Sequence, residues 1–227
     1  MDTVKSALQA VHARIAAAAC AAGRKPDTVE LLAVSKTFGI DAIRAAAAAG
    51  QQAFGESYVQ EALVKIAALA DLSLTWHFIG PLQRNKTRAV AEHFDWVHSV
   101  DRAIIAQRLN EARTATQPPL NVCVQVNVSG EPSKSGVSPA DLPALVHAVA
   151  QLPRLHLRGL MAIPAPSKNA DQQHAQFRLL RQLRDGLDVP LDTLSMGMSD
   201  DMEAAIAEGA TLVRVGSAIF GGRRIIN

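Results

Sequence analysis

With 227 residues, 48% of them hydrophobic, the chain can bury one barrel-sized core, and 19% charged residues with a formal net charge of +2 give no electrostatic reason to expect nucleic acid or a membrane surface. Basic residues are scattered, Arg223-Arg224 being the only local cluster, and no apolar run reaches the ~18 residues that mark a membrane span. Cys20 and Cys123 lie far apart in apolar surroundings, so no disulfide framework or zinc spacing can be built, and two reduced, mostly buried thiols fit a reducing cytoplasm.

Val4, Leu8, Val11 and Ile15 recur at helical spacing beside a short apolar stretch over 15–22. Residues 1–25 therefore read as an amphipathic helix packed on the rest of the chain, not as a signal peptide. From Glu30 onward, short β-branched runs alternate with Ala/Leu-rich segments of helical period. Strands are expected over 31–35, 53–55, 75–80, 96–99, 122–128, 157–162, 193–195 and 212–215. Helices are expected over 40–49, 58–69, 86–92, 102–115, 139–151, 170–186 and 202–208, with a short last one within 217–227.

Such alternation requires crossovers between parallel strands, and apolar runs such as Val122-Cys123-Val124 mean that both faces of the sheet are covered. Eight repeats point to an α/β fold: a single (β/α)₈ TIM barrel over 1–227 with an extra N-terminal helix. An open doubly wound sheet is the runner-up. It is weakened because no Gly-x-Gly-x-x-Gly follows the first strand.

In such a barrel the site lies where the strands end at their C-terminal side. Lys36 sits there, behind the apolar run 31–34. Partial desolvation disfavours a charged ammonium, and a neutral amine attacks aldehydes, so the position suits a Schiff base. A lysine merely reaching solvent is the plain alternative. The seventh and eighth strands end in Ser195-Met196-Gly197-Met198-Ser199 and Arg214-Val215-Gly216-Ser217. Hydroxyls, glycine and backbone N–H groups of that kind form an anion cradle, and barrels often hold phosphate at these two loops. Ser199 with Asp200 also resembles a helix N-cap, and Gly216 a tight turn. When the barrel closes, strands one, seven and eight are neighbours. An amine for an aldehyde and a cradle for a phosphate together describe a pyridoxal 5′-phosphate (PLP) site, with Arg214 between them within reach of the pyridine nitrogen.

The residues that then stand out are Ala33-Val34-Ser35-Lys36-Thr37, Phe54-Gly55-Glu56, Val59-Gln60-Glu61, Trp76-His77-Phe78-Ile79-Gly80 with Leu82-Gln83 and Asn85-Lys86, Asn127 with Glu131, Lys134 and Gly136, the run 195–199 with Asp201, and Arg214-Val215-Gly216 with Phe220-Gly221. In these the chain resembles the PLP homeostasis proteins, the YggS/PROSC group, over nearly its whole length. The resemblance implies a monomeric or weakly associating barrel similar to the alanine racemase N-terminal domain. It implies PLP as an internal aldimine on Lys36, phosphate contacts from Ser199, Gly216 and Ser217 with Met198 beside them, and Arg214 at the ring nitrogen. Apo PLP-dependent enzymes are then candidate transient recipients; composition and spacing, for their part, give no reason to expect nucleic acid, membrane or metal, and the thiols fit the cytoplasm. Ser57 departs from the asparagine usual in the group.

Catalysis by PLP needs an electron sink and placed acid/base groups. An arginine at the ring nitrogen disfavours the protonated pyridinium. The chain has one tyrosine, Tyr58, where racemases deliver theirs from a partner subunit. The expected role is therefore PLP holding without robust turnover; a small amino-acid racemase or decarboxylase is the alternative. Lys134, in the loop 130–136, could gate the site or receive PLP. Trp76 and Trp96 read as packing, and His77, His93 and His98, which lack metal-ligand spacing, as ordinary polar or capping residues.

Overall fold

In a computed structural model of the chain, which describes residues 2–131 and 134–222, the short β-branched runs become strands and the runs of helical period wrap around them. Arg223-Arg224 and the far end of the expected last helix lie outside the described residues. The strands are β1 Glu30–Val34, β2 Ala53–Glu56, β3 Thr75–Phe78, β4 Trp96–Val100, β5 Leu120–Gln125, β6 Leu155–Met161, β7 Thr193–Ser195 and β8 Leu212–Val215. All pair in parallel and in chain order, and β1 meets β8 with Glu30 opposite Leu212 and Ala33 opposite Val215, which closes an eight-stranded barrel. An N-terminal helix α1, Asp2–Ala21, precedes the barrel. Between strands run α2 Ile40–Ala48, α3 Val59–Ala68, α4 Thr87–His93, α5 Ala103–Ala112, α6 Leu142–Ala150, α7 Ala170–Asp185 and α8 Met202–Ala207; α9, Ser217–Phe220, follows β8. This is a (β/α)₈ TIM barrel.

Helix α1 lies across α8 and α9. Its buried stripe is Leu8, Val11, Ile15 and Ala19. Arg14 reaches over to Glu203 and to the Ser199 carbonyl (2.9 Å), and Arg24 to the Ile206 carbonyl (2.9 Å). The helix thus braces the loops after the last two strands. Cys20, on its outer side, is exposed, contrary to the expected buried thiol, because it falls off that stripe. Cys123 is buried in β5, and burial pushes its thiol up to about 12.

β5 stops at Gln125, short of the expected 128. The loop beyond folds back, so that Val137 N donates to Gln125 O and Asn127 N to Val137 O. Val126 and Val137 make an isolated parallel bridge, so beyond Gln125 the groups on one side of the strand are taken by its own loop, while Val126 N still donates to Met161 O of β6. The helix expected over 102–115 ends at Ala112. Arg113 turns inward there and donates to the carbonyls of Ala91 (2.6 Å) and Phe94 (2.9 Å).

Two hydrophobic clusters are separate. The larger fills the layer between strands and helices, from Phe54, Phe78 and Phe94 to Phe177. The smaller, Leu32, Val34, Ala53, Ile79 and Leu212, lies inside the barrel on the side of β1, β2 and β8. Period-two alternation along a strand accounts for the division, since residues i and i+2 share a face. Leu32 and Val34 face in, so Lys36 continues toward the barrel mouth. Leu212 likewise puts Arg214 and Gly216 on the inner face.

Candidate functional site

Lys36 follows β1 at a turn in which Thr37 has φ 69°, in the left-handed region that a β-branched residue rarely occupies. Such strain costs about 1–3 kcal/mol and persists only where the surroundings enforce it. Here they do. The Thr37 N–H donates to Glu61 Oε1 (2.6 Å), and Lys65 Nζ donates to Ser35 O (2.8 Å), Glu56 Oε1 (2.7 Å) and Glu61 Oε1 (2.5 Å). Ser35 Oγ donates to Glu56 Oε1 as well (2.6 Å). Glu56 and Lys65 are buried between barrel and α3, so burial raises the Glu56 carboxyl's pKa, against the charge and hydrogen bond of Lys65. Lys65 is absent from the sequence expectations. Its only local signal is a lysine four residues after Glu61 on one helix face.

After β7 the chain turns at Gly197 (φ 93°), where a Cβ would stand 2.6 Å from that of Ala205. The residue capping α8 is Asp201, and its Oδ1 accepts from the Met198 N–H (2.6 Å). The capping role expected of Ser199 is therefore not found. The turn places Ser199 two residues before the cap, and its hydroxyl accepts a hydrogen bond from Ser217 Oγ (3.1 Å). At Gly216 a Cβ would lie 3.0 Å from the Val34 carbonyl oxygen, so the start of α9 sits close against β1. The first N–H groups of a helix have no partner within it, and here they stand beside two hydroxyls.

Arg214 is 3% exposed. It donates to Ser195 Oγ (2.7 Å) and to the Ala162 carbonyl (2.8 Å), and no carboxylate among the described residues lies within ion-pair distance. Burial lowers its pKa to about 10, against the attraction of Asp201, and it stays a cation at neutral pH. A cavity of about 300 Å³ opens beside it, lined by Val34, Lys36, Phe38, Ser57, Ile79, Ile163, Met198, Ser199, Asp200, Arg214, Gly216, Ser217 and Gly221. All six expected site residues, Lys36, Met198, Ser199, Arg214, Gly216 and Ser217, meet there, with an amine, a guanidinium, two hydroxyls and an apolar wall. Ile79 and Ile163 also line a neighbouring cavity with Lys134, Ser135, Gln125 and Pro81.

Sequence reading missed a buried polar chain behind Arg214. His98 Nδ1 lies 2.8 Å from Ser195 Oγ, and His98 Nε2 lies 2.9 Å from His77 Nδ1. His77 and His98, expected as ordinary polar or capping residues, are 1% and 0% exposed. Burial drives the His77 pKa down to about 3 and that of His98 well below its ordinary value, so both are neutral. His93, near the C-terminus of α4, does touch the Ala89 carbonyl, as a capping residue would. Trp76 packs on Phe54, and Trp96 stacks on His77 with Arg158 over its ring; neither lines the cavity. Among the described residues no cluster of His, Cys, Asp and Glu could hold a metal.

The family described as alanine racemase, N-terminal domain, matches residues 7–224. A pyridoxal phosphate homeostasis protein of Pseudomonas aeruginosa is 65% identical over 223 residues, covering 98% of this chain and 97% of that protein. Its namesake in Escherichia coli is 54% identical over 229 residues, covering 98% of each. PipY of Synechococcus elongatus, solved with PLP bound and without it, superposes with a TM-score of 0.85 at 41% identity, covering 96% of this chain and 100% of that one.

Proposed function

The chain belongs to the pyridoxal phosphate homeostasis protein family, built on the alanine racemase N-terminal-domain barrel, and from that membership we propose that it binds PLP at the strand-end cavity and holds it for the PLP balance of the cell. One observation carries the placement. Lys36 and the hydroxyl-and-glycine cradle of Ser199, Gly216 and Ser217 line one cavity of about 300 Å³, with the Arg214 cation between them.

The residues fit the cofactor. PLP carries an aldehyde, a ring nitrogen and a phosphate, and when bound it supplies an electron sink for bonds at an amino acid's α-carbon. Lys36 Nζ is the amine for covalent attachment. The Ser199 and Ser217 hydroxyls, with the backbone at Gly216, hold the phosphate. Arg214, with no carboxylate among the described residues within ion-pair distance, would face the ring nitrogen and disfavour its protonation. Met198, 36% exposed, flanks the cavity mouth.

Holding outweighs turnover in this reading. An unprotonated ring nitrogen weakens the sink, and Tyr58, 55% exposed, does not line the cavity, so the chain's one tyrosine is not placed to act as a second base. A monomeric cytoplasmic protein that passes PLP to apo enzymes completes the proposal. Among the described residues no helix is long and apolar enough to cross a membrane.

Adding PLP to the purified protein should give a visible absorption band that Lys36→Ala lacks. A colourless wild-type protein sinks the reading. Fast α-proton exchange with a panel of D- and L-amino acids would overturn the holding role.

A further inference from the structure

Arg214 presents a problem of physical chemistry. A buried guanidinium without a carboxylate partner is costly unless its surroundings replace water. On one side the barrel interior is apolar, with Leu32, Val34, Ala53, Ile79 and Leu212. On the other side, Ser195, His98 and His77 stand where barrels ordinarily place bulky aliphatic residues. Three buried polar side chains in a row call for a reason.

Donor inventory and the field of Arg214 together select the proton positions. Either order leaves one proton unpaired, and the favourable one puts it at the far end of the row, away from the cation. A guanidinium only donates, so Ser195 Oγ accepts from Arg214. The serine proton would be stranded in the interior unless it goes to His98 Nδ1, 2.8 Å away. That places the His98 proton on Nε2, facing His77 Nδ1 at 2.9 Å, and the His77 proton on Nε2, which has no partner among the described residues. Every dipole in the row then turns its negative end toward Arg214. The row ends on the face of Trp96, stacked on His77 with ring centroids 5.3 Å apart.

We propose that Ser195, His98 and His77 are positioning residues: a row of neutral hydrogen-bonding groups, with one fixed proton order, that holds the Arg214 guanidinium charged and aimed into the cavity in place of a carboxylate. A carboxylate there would neutralise the cation and leave less of its field for a ligand; neutral dipoles hold it without cancelling its charge. The role in PLP binding rests on the function proposed above, whereas the proton order does not.

The test has two arms. In the first, PLP affinity and the bound absorption band are measured for Ser195→Ala, His98→Gln, Arg214→Gln and their double combinations, with near-ultraviolet circular dichroism reporting the fold. Ser195→Ala and His98→Gln should each weaken binding about tenfold and shift the band. Placed on Arg214→Gln, they should add less than about twofold, because they act through that side chain. Unchanged affinity in a folded Ser195→Ala, or fully additive losses, overturns the proposal. In the second arm, imidazole ¹⁵N spectra of the wild-type protein without PLP should show His98 and His77 neutral, each with its proton on Nε2. A proton on His98 Nδ1, or a charged imidazole at neutral pH, overturns the proposal even if the variants fail to fold. Wild-type protein that binds no PLP defeats the functional reading, and the spectra still decide the proton order.

Discussion

Single positions carry most of the chemistry, and Lys36 shows how far sequence alone reaches at that scale. Its place beyond an apolar strand predicts the barrel mouth, because Leu32 and Val34 face the interior and period-two alternation carries the next even position upward. Gly216 was open between a turn and an anion cradle. The structure adds a spatial demand: a Cβ there would stand 3.0 Å from the Val34 carbonyl. Gly216→Ala should therefore fold with a loss of roughly 1–3 kcal/mol in urea unfolding, as small overpacking does. It should also weaken PLP binding about tenfold, equal to about 1.4 kcal/mol, by pushing the start of α9 off β1. Unaltered titration with PLP would show that the cradle does not depend on this approach. For His77 and His98 the sequence offers only metal-ligand spacing as a test, and they lack it. Their partner Ser195 lies 97 residues beyond His98, a separation with no local signal.

At the scale of elements, the β1–β2–α3 unit explains why Lys36 can be offered at a strained turn. Lys65 ties the Ser35 carbonyl to Glu56 and Glu61, and Glu61 in turn holds the Thr37 N–H. Removing one member should cost more than replacing the pair. Lys65→Met leaves the buried Glu56 carboxylate with the Ser35 hydroxyl but no cation, with an expected loss of about 3–5 kcal/mol in urea unfolding. Glu56→Gln combined with Lys65→Met should recover most of it, while PLP binding stays impaired because the Thr37 turn is less constrained. Equal stability losses in the single and double variants would show that the pair is not coupled. Most strand and helix positions were legible because alternation and helical period are local properties. Errors fall where tertiary contacts intervene: β5 is cut short by the return of Val137, and α5 by the inward turn of Arg113.

For the whole molecule, the polar interior sets a limit at acid pH. His77 and His98 are neutral in the fold, with pKa values of about 3 and well below 6.5, whereas in the unfolded chain both regain about 6.5. The unfolded state therefore binds more protons as pH drops under 6.5. Stability is fully present above that value and declines from there toward pH 3, by about 1.4 kcal/mol per pH unit for each imidazole. Urea unfolding at pH 7.5 and pH 5 should show the drop, and His98→Gln should reduce its slope by about one proton. An identical slope in that variant would mean that another group takes up the proton. Sequence by itself determined the alternating order of elements, the closed barrel as the preferred topology, and the strand ends at which a lysine and a phosphate cradle can meet. These rest on periodicity, on crossover rules and on residue types, all of which act along the chain. Only the tertiary structure decided that Ser199 faces the cavity instead of capping α8, that Cys20 is exposed, and that Arg214 leans on serine and histidine. Those outcomes depend on which side chains barrel closure brings across the interior, and no spacing in the sequence encodes that distance.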